Sequence, residues 1–137
     1  MDDSMYAIYK VISSGMSAQK TRMEIVNTNL ANINTTRTGN GEGPYKRRDV
    51  VFKSNKLSNG KIGVKVDSLI VDEKNFIYKY EPNHPDSNKE GYVAYPNINA
   101  VAETHALIES SRAYETNIEA FKTQKTIDLM TIDLLKE

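Results

Sequence analysis

Every proline in this chain lies between residues 44 and 96, so both ends run uninterrupted by one. Proline lacks an amide hydrogen and clashes with the preceding helical turn, so its absence leaves both ends free to form long helices. From Met5 to about Asn34 there is a single glycine. Over that stretch Met5, Tyr9, Ile12, Met16, Gln19, Met23, Val26, Leu30 and Ile33 recur at alternating steps of four and three. On a helix these positions form one stripe, with the repeat of about 3.5 that marks a coiled-coil seam. Gln19 is its one polar member, Ile8 and Ile25 widen it, and Lys10, Ser13, Ser17, Lys20, Glu24 and Asn27 occupy the opposite face. Such a helix is about 45 Å long, more than a small domain needs, so the stripe is expected to serve helix–helix association.

A second helix is expected from about Ala100 to Leu135, where Gly and Pro are again missing. Pro96 blocks a helix upstream, and Asn97 or Asn99 can cap the first turn. Leu107, Ser111, Tyr114, Ile118 and Phe121 keep heptad spacing. Beyond them Ile127, Met130 and Leu134, with Leu129, Ile132 and Leu135 beside them, make a tail so broadly apolar that it needs neighbours on more than one side. This helix carries Glu103, Glu109, Glu115 and Glu119, whereas the first carries Lys10, Lys20 and Arg22 against Glu24. The opposite charges favour pairing, although exposed ion pairs contribute only ~0–1 kcal/mol each; the apolar stripes are expected to supply the attraction.

Residues 35–97 hold all four prolines and six of the seven glycines. A flexible loop, Gly39-Asn40-Gly41-Glu42-Gly43-Pro44, leads into β-rich runs at Tyr45–Lys53, Gly60–Val71, Phe76–Tyr80 and Gly91–Tyr95. Ile62, Val64 and Val66 share one face of the second run. An antiparallel unit of this size is marginal alone, and with no cysteine to staple it, it must lean on the helices or on neighbouring subunits. The fold class is therefore α+β: long N- and C-terminal helices pairing as a coiled coil, with a small antiparallel β-rich middle domain. The divisions are residues 1–36, 37–97 and 98–137.

Little chemistry is available to such a chain. The lack of cysteine removes disulfides, thiol nucleophiles and Cys-ligated metals together. Lys plus Arg equals Asp plus Glu, 18 each, which argues against a nucleic-acid partner held by bulk charge. No apolar run approaches the ~20 residues of a membrane span, and no apolar stretch of signal-peptide length follows the acidic Met1-Asp2-Asp3, so ordinary secretory export is not expected. His84, with Glu81, Asp86 and Glu90 nearby, is a conceivable metal or hydrolase site, but a loop histidine bonding within its own turn is the better reading. His105 reads as a packed or half-exposed helix residue. Lys46-Arg47-Arg48 reads as an edge strand or subunit contact, since alternation splits it across two faces. Asn27, Asn29, Asn32 and Asn34 are unusual in a helix, because the amide competes for backbone groups; they mark a frayed helix end or a defined chain reversal that also bonds a neighbouring subunit. No catalytic, cofactor or metal residues are assigned.

Two stretches then carry a resemblance. Ser14-Gly15-Met16-Ser17-Ala18-Gln19-Lys20-Thr21-Arg22-Met23 and Asn29-Leu30-Ala31-Asn32-Ile33-Asn34-Thr35-Thr36-Arg37-Thr38 closely resemble the N-terminal motif of bacterial flagellar rod and hook proteins. Gly43-Pro44-Tyr45-Lys46-Arg47-Arg48-Asp49-Val50-Val51-Phe52 narrows the match to a short proximal-rod member. So do His84-Pro85-Asp86, Glu90-Gly91-Tyr92-Val93-Ala94-Tyr95-Pro96-Asn97-Ile98-Asn99 and Ser110-Ser111-Arg112-Ala113-Tyr114-Glu115-Thr116-Asn117. Departures are mild: Asn27-Thr28-Asn29 stands where serines are frequent, and Ile33 where a small residue is common.

The resemblance implies a structural subunit rather than an enzyme. Members of that family polymerise helically into the drive shaft of the basal body, within the periplasm, which passes motor torque to hook and filament. Their terminal helices form the inner tube and the middle segment an outer β domain. They leave the cytoplasm through the flagellar type III export apparatus without a cleaved signal peptide. The implied partners are copies of the chain, other rod proteins, and the export-gate and basal-body base proteins, with no cofactor, nucleic acid or small-molecule substrate. On this reading Met16, Met23, Val26, Leu30, Leu107, Tyr114, Ile118 and Phe121 form the helical core within and between subunits, and Asn29, Asn32, Asn34 and Asn117 set register. A generic coiled-coil adaptor is the alternative.

Overall fold

The computed structural model describes residues 2–39, 41, 43–57 and 60–134. Each proline-free end is one helix, α1 (Asp2–Ala31) and α2 (Ala100–Leu134). Asn40, Glu42, Leu135 and the side chain of Met5 lie outside the described residues. Of the two candidate caps for α2, Asn99 is the one used: its Oδ1 accepts from the amides of Val101 (2.9 Å) and Ala102 (3.2 Å), satisfying donors that a helix start leaves open. At the other end, the α1 asparagines build a defined reversal. Asn32 donates its side-chain amide to the Thr28 carbonyl, and its Oδ1 accepts from the Thr35 hydroxyl. The Thr35 carbonyl then accepts from the Tyr45 amide, turning the chain back along the helix.

The middle segment forms four strands, β1 (Arg48–Lys56), β2 (Ile62–Val71), β3 (Ile77–Tyr80) and β4 (Tyr92–Tyr95). They make two separate antiparallel ladders, β1–β2 and β3–β4, rather than one sheet. In the first, Val51 pairs with Ser68 and Phe52 with Val66, so Asp67 is an extra residue bulged from β2. The expected alternation in β2 is not seen in its burial, where of the apolar face Ile62, Val64 and Val66 only Val66 is half-buried. Gly63 is buried, while Ile62 is 68% and Val64 38% exposed. The reason is steric: β2 crosses α1 so closely that a Cβ on Gly63 would lie 2.6 Å from Ser14 Oγ. Ser14 donates to the Val11 carbonyl and accepts from the Val64 amide at 3.0 Å. The first hairpin thus leans on α1, as a small unit without disulfides must.

Fully buried apolar side chains are few. Ala7, Ala18, Val26, Tyr45, Val93 and Ile98 form the core, joined by the buried polar residues Asn29, Glu103, Ser110 and Asp128.

Candidate assembly interface

Three contacts fix how the helices meet. The Tyr9 hydroxyl donates to Asp128 Oδ2 at 2.5 Å, a Cβ on Gly15 would touch the Asn117 side chain at 3.2 Å, and Asn29 donates to Glu103 Oε2 at 3.0 Å. Early α1 meets late α2 throughout, so the helices run antiparallel. On α1 the innermost side chains are small, Ala7, Ala18 and Val26, with Asn29 at the end. On α2 they are polar: Glu103, Ser110 and Asp128 are buried, and Glu103, Ser110, Asn117 and Gln124 follow at steps of seven. Gln124 also donates to Asp128 Oδ1, so that carboxylate has a donor on each oxygen. The hydrogen bond to Asp128 in turn holds the Tyr9 phenol above its ordinary pKa.

This is a correction to the expected apolar seam. Of the stripe read from α1, Val26 is fully buried, whereas Met16, Met23 and Leu30 are half-buried. On α2, Leu107, Tyr114 and Ile118 are half-buried flanking residues, and Phe121 is 36% exposed, its ring edge-on to Tyr9 at 4.9 Å. Small and polar residues let the helices approach closely and leave the large apolar ones outside. Val101, Ile108, Ile127, Leu129, Met130 and Leu134 are between 47% and 79% exposed. The acidic and small heptad was visible in the sequence, but an apolar stripe was the stronger signal and drew the seam to itself.

A buried polar joint ties the helix pair to the first hairpin. Asn29 is fully buried, and its amide pairs with the Arg48 backbone as a neighbouring strand would, donating to the carbonyl (2.7 Å) and accepting from the amide (3.0 Å). Its Oδ1 also accepts from the Tyr45 hydroxyl (2.9 Å), and Nδ2 donates to Glu103. Every hydrogen-bonding site on that amide is filled from within the chain, so Asn29 sets the register of the subunit on itself. Glu103 completes the joint by accepting from Arg47 Nε at 2.6 Å. Burial raises the Tyr45 pKa. Burial alone would lower that of Arg47, but its bonds to Glu103 and Asp49 outweigh this and raise it. The basic cluster is therefore spent internally: Lys46 faces Glu73, Arg47 faces Glu103 and Asp49, and Arg48 lies over the Tyr45 ring. Of the other asparagines assigned to register, Asn32 serves the reversal, Asn34 is exposed and Asn117 packs on Gly15.

The His-Pro-Asp turn has a positional role. His84 Nδ1 accepts from the Asp86 amide at 3.0 Å, which aims the Asp86 carboxylate at the loop following α1. There Asp86 accepts from the Thr36 hydroxyl (2.7 Å) and pairs with Arg37. The Thr36 bond, reinforced by Arg37, holds the Asp86 pKa below the usual carboxylate value. His105 is exposed beside Glu109. Among the described residues no group of three or more His, Cys, Asp or Glu could hold a metal ion. The cavity between Tyr45, Arg47, Asp72 and Phe76 is about 10 Å3, room for a water and no more.

The helix pair is closed by small and polar side chains, and large apolar side chains of α2 are left exposed. Residues 10–37 match the family described as flagella basal body rod protein, and residues 89–134 match the flagellar basal body rod FlgEFG protein C-terminal family. The chain is 36% identical over 135 residues to the flagellar basal-body rod protein FlgC of Agrobacterium fabrum, covering 98% of this chain and 97% of that one. It is 38% identical to FlgC of Buchnera aphidicola subsp. Schizaphis graminum over 133 residues (96% and 98%). With FlgC of Bacillus subtilis it is 36% identical over 142 residues (92% and 95%). The chain is a flagellar rod protein. Within that class, it belongs to the FlgC family.

Proposed function

We propose that the chain is a structural, non-catalytic subunit of the proximal rod, assembling helically with copies of itself and with other rod proteins into the periplasmic shaft that passes torque to hook and filament. It would reach that position through the flagellar type III apparatus. The observation that supports this most directly is the inverted helix pair: the seam used within the chain is small and polar, and the large side chains of α2 remain uncovered. The alternative, a generic coiled-coil adaptor, would close such a surface within a discrete oligomer, whereas a head-to-tail helical assembly buries it along a polymer. Leu30 and Ile118, half-buried beside the seam, are proposed with Met16, Met23, Leu107, Tyr114 and Phe121 to complete the inter-subunit core.

Met130, 62% exposed, gives the cleanest test. Met130→Asp should leave the isolated chain folded, by circular dichroism, and abolish swimming with no completed rod in electron micrographs. Full motility in that strain, and in a Leu30→Asp strain, would reject the proposal.

A further inference from the structure

The chain is neutral overall, yet its charges are segregated. Between Val50 and Val66 there are four lysines, Lys53, Lys56, Lys61 and Lys65, and no acid. Lys53 and Lys65 are directly opposed across the β1–β2 ladder, an arrangement that costs stability unless neutralised. Asp67 reaches Lys53 at 3.8 Å, but among the described residues Lys56 and Lys65 have no acidic partner. Lys56, opposed to Ile62 across the ladder, shares the face of the exposed apolar side chains Ile62 and Val64, whereas Lys53 and Lys65 lie on the Gly63 face.

The outer side of α2 has the complementary pattern. Val101 and Ile108, 79% and 47% exposed, line a groove of about 370 Å3 with Thr104 and His105. Along residues 101–122 the exposed acids are Glu109, Glu115 and Glu119, against the cations Arg112 and Lys122, the latter paired with Glu119. Glu115 has no cationic partner among the described residues. An exposed apolar pair beside Lys56 thus exists on one surface, and an exposed apolar pair beside Glu109 and Glu115 on another.

We propose that the β1–β2 hairpin of one copy docks on the outer face of α2 of a second copy, with Ile62 in the Val101–Ile108 groove and Lys56 facing Glu109 and Glu115. This rests on the rod reading and names one of its contacts. Two hairpin ends repel one another, as do two α2 faces, so the charge pattern disfavours a closed two-fold dimer and selects a head-to-tail contact that can propagate.

Because the chain contains no cysteine, engineered pairs report cleanly. Lys56→Cys and Glu115→Cys are placed on separate copies, co-expressed, and treated in purified basal bodies with a short bis-maleimide. A covalent dimer that needs both copies, and is absent with either alone, supports the contact. Cross-linking only to another protein, or none in basal bodies that contain both copies, overturns it and leaves the rod reading standing; absence of the chain from basal bodies overturns both. In parallel, Lys56→Glu should cut the swimming rate at least tenfold, and adding Glu109→Lys with Glu115→Lys should restore most of it. Failure of that rescue, with both variants folded, also counts against the contact.

Discussion

Asn29 and Glu103 each concentrate in one side chain what would otherwise need several. The Asn29 amide substitutes for a missing strand at Arg48, and its truncation would strand the Arg48 carbonyl, the Tyr45 hydroxyl and one Glu103 oxygen in a dry site. A buried polar group left unsatisfied costs about 1–3 kcal/mol, so Asn29→Ala should lower the urea midpoint more than any exposed asparagine, Asn34→Ala included. Glu103→Ala removes a carboxylate 2% exposed from a guanidinium that keeps 26% of its side chain in water. Because that half-wet partner can rehydrate, the loss should fall at about 2–4 kcal/mol, toward the lower end of what breaking a buried pair costs. At Asp86 the sign follows from its depressed pKa. The tether to Thr36 and Arg37 contributes fully above the ordinary carboxylate value of about 3.9 and is lost as pH falls through the lower folded value. An NMR titration should show loop 35–38 releasing only under strong acid, and Asp86→Asn should remove that transition.

At the scale of elements, closeness of approach decides the packing. Gly63 of β2 abuts Ser14 of α1, and the next residue of α1, Gly15, abuts Asn117 of α2, so both approaches converge on one Ser14-Gly15 step. Gly63→Ala should push the hairpin off α1 and expose its amides to hydrogen exchange. The double variant with Ser14→Ala, which removes the oxygen 2.6 Å away, should recover part of the loss, giving a coupling of about 0.5–3 kcal/mol. The helices themselves were legible in the sequence because proline and glycine punctuate so sharply, and the strand runs because β-branched residues and tyrosines cluster between turn formers. Which face turned inward was not. Periodicity reports that a stripe exists; it does not say whether the subunit or its neighbour covers it. The heptad of Glu103, Ser110, Asn117 and Gln124 gained its meaning only once Gly15, Ala18 and Asn29 were seen opposite. In the same way, Ser14 and Val64 gave no local sign of contact, being fifty residues apart in sequence.

At the scale of the whole molecule, the apolar surface left outside the seam makes the free chain an incomplete object. Leu134, Val101 and Met130 bring that surface to both ends of α2, and the isolated protein should bind a hydrophobic dye strongly while keeping its helical circular dichroism. Replacing Ile127, Met130 and Leu134 together by Ser should suppress dye binding with less than about 0.5 kcal/mol change in unfolding free energy, as expected for exposed sites. A large loss of stability instead would mean that these side chains already pack within the subunit.

The points where α1 and α2 lock, Tyr9 on Asp128, Gly15 on Asn117 and Asn29 on Glu103, are spread along the full length of the pair. A purely greasy contact tolerates sliding, since one methyl is much like the next. Here a slide of one turn would break every keyed position at once. Under the torsion proposed for the rod, each subunit would then behave as a splined coupling: stiff against shear up to a threshold, without creep below it, and with a length along the shaft that does not drift over many rotations.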